Sequence, residues 1–193
     1  VTLTAYYRTQ WNPTVTLTGT TSDYTTTVYY TVDGSSTSVG GQSGSWSNWA
    51  DSGSAVTVAS DTVGSGTSER WHAGITTIIA SVSNAGTYEA VYRHQWKPTF
   101  SASTASGGTD MSSSNYVIVT YTVDGSSGQT SDSVYDGQSR SLWIDAGTTA
   151  SMSAVSTGSG ATQRWTYNQD GSTQPSWQIG SADARSAIYY HQV

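Results

Sequence analysis

With 193 residues, a single lysine and a net charge of −6, the chain has no basic patch to neutralise phosphates, which excludes nucleic acid as a partner. The absence of cysteine excludes disulfides and thiolate metal sites together, and no apolar run reaches the length of a membrane span. Ser and Thr supply about a third of the chain, while 13 Tyr and 8 Trp against one Phe carry much of the apolar mass, a mixture that suits packed strands rather than a disordered polar tail.

In chain order, the first recognisable element is Ala5-Tyr6-Tyr7-Arg8-Thr9-Gln10-Trp11-Asn12-Pro13-Thr14. It returns as Ala90-Val91-Tyr92-Arg93-His94-Gln95-Trp96-Lys97-Pro98-Thr99, and begins once more as Ala187-Ile188-Tyr189-Tyr190-His191-Gln192. The spacings are 85 residues (90 − 5) and 97 (187 − 90), the scale of a whole small domain rather than a solenoid turn. Between these markers, Thr14–Thr18, Thr26–Val32, 55–58 and 151–155 alternate polar with apolar residues and read as half-buried antiparallel strands. Segments 75–82 and 116–123 are more continuously apolar and are expected at sheet centres. The pairs Asp33-Gly34, Asp124-Gly125, Asp136-Gly137 and Asp170-Gly171 predict turns, since Gly accepts positive φ. The Ser/Gly-rich stretches 39–45 and 64–66 read as loops.

Other pieces recur with the boundary motif. Trp49-Ala50-Asp51-Ser52-Gly53 matches Trp143-Ile144-Asp145-Ala146-Gly147, and Arg70-Trp71 matches Arg164-Trp165. The boundary between repeats, 87–100, holds no Gly and only Pro98, so it predicts a strand that ends one body and opens the next, stiffer than a Gly/Ser linker. The expected fold is all-β: two tandem immunoglobulin-like β-sandwiches of about seven strands each, at 9–93 and 94–193, preceded by a donor strand at 1–8. Val1 is expected to follow a cleaved leader or a cut from a longer chain. The Asn12-Pro13-Thr14 triplet is closed to N-glycosylation by its proline.

The Tyr-x-x-Gln-Trp opening, the Trp-x-Asp-x-Gly turn and the Arg-Trp strand resemble the tandem β-repeats of secreted archaeal surface proteins. Size, composition and architecture are also similar to subunits of archaeal thread-like pili, which are linked by donor-strand complementation, as are bacterial type 1 pili. The resemblance implies a structural subunit of an extracellular filament that polymerises head to tail and supports adhesion or biofilm. It departs from the known glycan-rich threads in having no usable N-glycosylation triplet.

Three copies of a boundary strand for two bodies leave one in surplus. The candidate subunit interface is therefore Val1, Thr2, Leu3, Thr4, Ala5, Tyr6 and Tyr7 at one end, or Ile188, Tyr189 and Tyr190 at the other, with another copy of the chain as partner. The N-terminal strand is preferred, because its residues copy the closing strand of a body this sequence does not contain. Alternatively both ends close their own sandwiches, or the sequence is part of a longer array. An edge strand that adds to a foreign sheet would explain the surplus.

The remaining candidates carry less chemistry. Asp33, Asp51, Asp124 and Asp145 recur once per body, which suits a turn requirement better than a unique pair of catalytic acids. His72, His94 and His191 have no metal-ligand spacing. Glu69, replaced by Gln163 in the second repeat, is the residue on which an acid-peptidase reading would rest, and there is no Gly-x-Ser-x-Gly elbow. The expectation is thus no enzyme, no cofactor and no metal. Trp71 and Trp165 read as core, whereas Trp46 and Trp177 are the candidates for an exposed contact with surface glycans. That contact carries the alternative function, a carbohydrate-binding or adhesive module of a larger surface protein. Few ionisable groups, a pI near 4.6 and no membrane insertion fit an extracellular, cell-surface location.

Overall fold

Thr, Val and Tyr set in alternation fit a pleated surface with one face inward and one outward, and most such segments here become strands. The computed structural model describes residues 2, 4–105, 111, 114–126, 129–167 and 173–193; among them are twenty strands and no helix. The chain divides into two compact units, one of Val1–Gly66 with Arg70–His94 and one of Thr67–Glu69 with Gln95–Val193.

The first ten strands are β1 (Gln10–Trp11), β2 (Thr14–Thr18), β3 (Thr26–Val32), β4 (Ser35–Gln42), β5 (Gly44–Ser47), β6 (Ala50–Asp51), β7 (Val56–Val58), β8 (Glu69–His72), β9 (Thr77–Ile79) and β10 (Thr87–Val91). In the first unit one sheet has the order β10-β2-β5 and the other β4-β3-β7-β9. Strand β10 runs parallel to β2 and pairs Thr87 with Thr14 through Val91 with Thr18. The two-residue strands β1 and β6 pair Gln10 with Asp51 and Trp11 with Ala50.

The second ten repeat this plan: β11 (Arg93–Trp96), β12 (Thr99–Thr104), β13 (Tyr116–Tyr121), β14 (Thr130–Tyr135), β15 (Ser139–Ser141), β16 (Ile144–Asp145), β17 (Thr149–Met152), β18 (Arg164–Thr166), β19 (Ser176–Gln178) and β20 (Ala184–Gln192). The sheets of the second unit are β15-β12-β20-β18 and β14-β13-β17-β19. Again the last strand lies parallel to the first long one, β20 on β12, and Gln95 of β11 pairs with Asp145 of β16.

Inward side chains of each sheet pair meet in one core per unit. Val15, Leu17, Val28, Tyr30, Trp46 and Val56 belong to the first, and Phe100, Val117, Val119, Ile144, Met152 and Tyr189 to the second. Full burial of one such side chain contributes about 1.5–3 kcal/mol. This all-β layered architecture is the expected one; among the described residues the two sheets named for each unit hold seven strands in the first and eight in the second, the short strands β1, β6, β8, β11 and β16 pairing apart from them.

Two expectations are corrected. Segment 75–82 is not a sheet centre: β9 is the outer strand of its sheet, Ile75 is exposed, Ile79 and Val82 are buried, and Ile78 packs partly buried against the core. Thr76 and Thr77 break the apolar run, so three residues suffice for the pairing that remains. Segment 39–45 is largely strand rather than loop. Its residues belong to β4 and β5, and β4 is an outer strand with little burial, where Ser and Gly are tolerated because backbone pairing to β3 needs no side chain.

The Asp-Gly turns are as predicted at three sites, among them Asp136-Gly137, where Gly137 has positive φ (68°) and the Gln138 N–H closes the turn on the Tyr135 carbonyl (3.0 Å). Asp33 and Gly34 both have positive φ (52° and 77°) and form the two-residue link between Val32 and Ser35, a type I′ geometry that matches strand twist. Asp124 and Gly125 adopt the same signs (54° and 64°) after β13. Asp170-Gly171 lies outside the described residues.

Candidate assembly interface

The boundary motif works first as a lock. In the first unit Gln10 Nε2 donates to Asp33 Oδ1 (3.0 Å) and to Asp51 Oδ1 (2.9 Å). Asp51 in turn accepts the backbone N–H of Asp33 on Oδ1 (3.1 Å) and that of Gly34 on Oδ2 (2.7 Å). The second unit repeats every bond: Gln95 Nε2 to Asp124 Oδ1 (2.9 Å) and Asp145 Oδ1 (2.8 Å), and the N–H groups of Asp124 and Gly125 to Asp145 (3.0 and 2.7 Å). The carboxylate thus satisfies two turn N–H groups that hairpin pairing leaves open. The Gln10 amide, followed by the Gly34 N–H, holds the Asp51 carboxyl below the usual carboxylate range, although its burial acts the other way. All of these residues stand out in the sequence, where their distance along the chain leaves them unjoined. The joint recurrence of Gln, Asp-Gly and Trp-x-Asp was the available signal.

The motif works second as the closing strand of a sandwich. In β10, Ala90 is buried, as is Tyr92 just beyond it; the Tyr92 hydroxyl donates to the Ala59 carbonyl (2.5 Å) and accepts from Thr26 (2.6 Å). In β20, Ala187 and Tyr189 occupy the same places, and the Tyr189 hydroxyl donates to the Ser153 carbonyl (2.6 Å). Burial pushes both phenols above their ordinary pKa. Strand β20 is bordered on one side by β12 and on the other by β18, with Ile188 and Tyr190 facing outward. So of the three C-terminal interface candidates, Tyr189 is a core residue of its own unit, while Ile188 and Tyr190 are half exposed.

The first copy is placed differently. Residues 4–9 belong to no strand, and Thr2, Thr4 and Ala5 are exposed. Tyr6 is 90% exposed and Tyr7, the counterpart of the buried Tyr92 and Tyr189, is 93% exposed. Val1 and Leu3 lie outside the described residues. Near the start of the first unit the segment is anchored: the Thr9 carbonyl accepts from Ser52 N–H (2.8 Å) and the Arg8 guanidinium stands 3.8 Å from Asp51.

The other candidates scatter. Trp46, expected outside, is buried and packs its ring against Tyr30 (centroids 5.0 Å), because the inward side of β5 faces the core. Trp177 is partly buried, edge-on to Phe100. Among the described residues the exposed indoles are Trp49, at 54%, and Trp11, at 36%. His94 stacks on Trp71 and His191 on Trp165, and among the described residues no three His, Asp or Glu side chains gather as a metal site.

No protein-family model matches the chain, and no curated protein sequence does. Solved structures give weak similarities. A leucine-rich repeat protein of Bacteroides thetaiotaomicron matches at 12% identity and TM-score 0.33 over 93% of this chain, which spans only 26% of that one. A streptococcal ancillary pilin matches at 9% and 0.33, covering 94% of this chain and 69% of the pilin. The major pilin of Streptococcus pyogenes matches at 9% and 0.25, covering 96% and 99%. Pilins of Gram-positive bacteria are thus among the structural neighbours, and the archaeal source expected from the sequence has no counterpart in these three. At such scores the chains do not superpose as one fold.

Proposed function

We propose that this chain is a structural subunit of an extracellular, cell-surface filament, joined head to tail by residues 1–8 closing a β-sandwich other than its own. The single observation that carries this reading is the exposure of Ala5 and Tyr7, at the positions where both other copies of the motif bury an alanine and a tyrosine. A strand patterned for a core and held outside one is a ready donor, since main-chain pairing supplies affinity and alternate side chains supply specificity. A contact between unlike surfaces of identical subunits does not close on itself, so it propagates into fibres. No reaction enters this reading. The Asp33–Asp51 pair, which could suggest acid catalysis, spends its acceptors on turn N–H groups and Gln10.

A second reading is an adhesive or glycan-binding segment of a larger surface protein, in which residues 1–8 close the preceding repeat of the same polypeptide. It is favoured by the fact that each of the two units already has its own closing strand, β10 and β20. Trp49 is then the most exposed of the described indoles that a sugar could stack on. Negative-stain microscopy of the purified chain and of a form lacking residues 1–8 separates the two. Filaments from the full chain that vanish on truncation support strand donation; filaments that persist refute it.

A further inference from the structure

Donation needs a vacant slot, and among the described residues both sandwiches are filled. The second is filled imperfectly. Two buried side-chain nitrogens have no hydrogen-bond partner among the described residues, Arg185 Nε and His191 Nε2, and both sit on β20. Burying a polar group without a partner opposes folding, so β20 holds its place against an internal penalty. At an offset of 182 residues (187 − 5), the counterparts of Arg185 and His191 are Leu3 and Thr9. The same offset sets Ala5 on Ala187 and Tyr7 on Tyr189, the two side chains by which β20 enters the core.

Resting on the assembly reading above, we propose that β20 is a replaceable plug. Residues 4–9 of a second copy displace it and lie parallel to β12, with Ala5 opposite Ala102 and Tyr7 opposite Thr104. These are the positions that Ala187 and Tyr189 take in the self-closed unit. The incoming strand keeps the core alanine and tyrosine and brings neither buried, unpartnered nitrogen. Because β20 is tethered to its slot, its effective concentration there is high, so exchange proceeds through rare opening of the C-terminal strand and is slow. A free chain is then self-capped, and polymer growth is limited by unplugging.

The test uses the full chain and a labelled peptide with the sequence of residues 1–9. Uptake is followed by fluorescence anisotropy, and the 184–191 amides by hydrogen exchange. The expected result is slow, saturable uptake with loss of protection at 184–191. An Arg164→Cys/Gln192→Cys pair, whose parent residues are cross-strand partners with side chains 2.8 Å apart, staples β20 when oxidised. Oxidation should slow uptake at least about tenfold and reduction restore it. An Arg185→Leu chain, which removes one of the two unpartnered nitrogens and keeps the His191–Trp165 stack, should also take up peptide about tenfold more slowly. Uptake that ignores the staple, or that leaves 184–191 protected, overturns the plug and leaves strand donation standing at another slot. No uptake by any form, with filaments still lost on removing residues 1–8, overturns it likewise. Filaments that survive that truncation take down the assembly reading as well.

Discussion

Ala5-Tyr6-Tyr7 and Ala187-Ile188-Tyr189 share the same inward pattern and meet opposite fates. The second closes a sandwich, with its tyrosine inside the core; the first lies in solvent with its tyrosine more than nine-tenths exposed. Both segments carry the alternation that marks a half-buried strand. What differs is the partner sheet: β12 and β18 border one, and no strand of the first unit pairs with the other. Periodicity therefore states which face would be buried, and the presence of an unfilled sheet states whether it is.

Truncating the tyrosines breaks this comparison with the largest effect. Tyr189→Ala should destabilise the second unit by about 3–5 kcal/mol, because it removes a filled core volume and the bond to Ser153. Tyr7→Ala should leave monomer stability within about 0.5 kcal/mol while abolishing filament growth. Denaturant midpoints together with microscopy check both. Equal effects of the two substitutions on stability would mean that residues 4–7 are packed in solution.

The lock comes next. Asp145→Ala strands the N–H groups of Asp124 and Gly125 and the Gln95 amide, and should cost about 2 kcal/mol, read as a lower denaturant midpoint. Asp51→Asn probes the first unit by pH. Its folded carboxyl lies below the ordinary value, so its contribution is present above about pH 4 and is lost as pH falls through the lower folded value. Thermal melts of the parent and Asp51→Asn chains should differ at neutral pH and converge toward pH 2. A difference that grows on acidification would contradict that direction.

The smallest effect sharpens the contrast between hairpins. Gly34→Ala forces a Cβ into the positive-φ region of a two-residue link and should cost about 1–2 kcal/mol. Gly125→Ala should cost less, because its φ of 64° lies nearer the left-handed minimum that L residues can occupy than the 77° of Gly34. Paired denaturant curves decide it.

Much of this architecture was legible in the residues. Alternation at Thr14–Thr18 and Thr26–Val32 announced strands, and Asp33-Gly34 announced a tight hairpin, because both depend on local stereochemistry. Segments 75–82 and 39–45 were misread because sheet position is non-local: a strand's place at centre or edge depends on neighbours far away in sequence. Trp46 failed for the same reason, since an indole beside serines looks exposed until the opposite sheet covers it. The lock was half visible. Its members recur together, but only folding brings residues 10, 33 and 51 to one amide.

By itself, then, the sequence determined the repeat, the all-β class, the Asp-Gly turns at 33–34, 124–125 and 136–137, and the inward face of alternating strands such as Thr14–Thr18 and Thr26–Val32, since these follow from side-chain chemistry at a spacing of one or two residues. Tertiary structure alone decided that Ala90 and Ala187 close sandwiches while Ala5 does not, and that Gln10 and Gln95 tie their turns shut. Burial and hydrogen-bond partnership belong to pairs of distant segments, and a residue's own identity specifies only what it could satisfy.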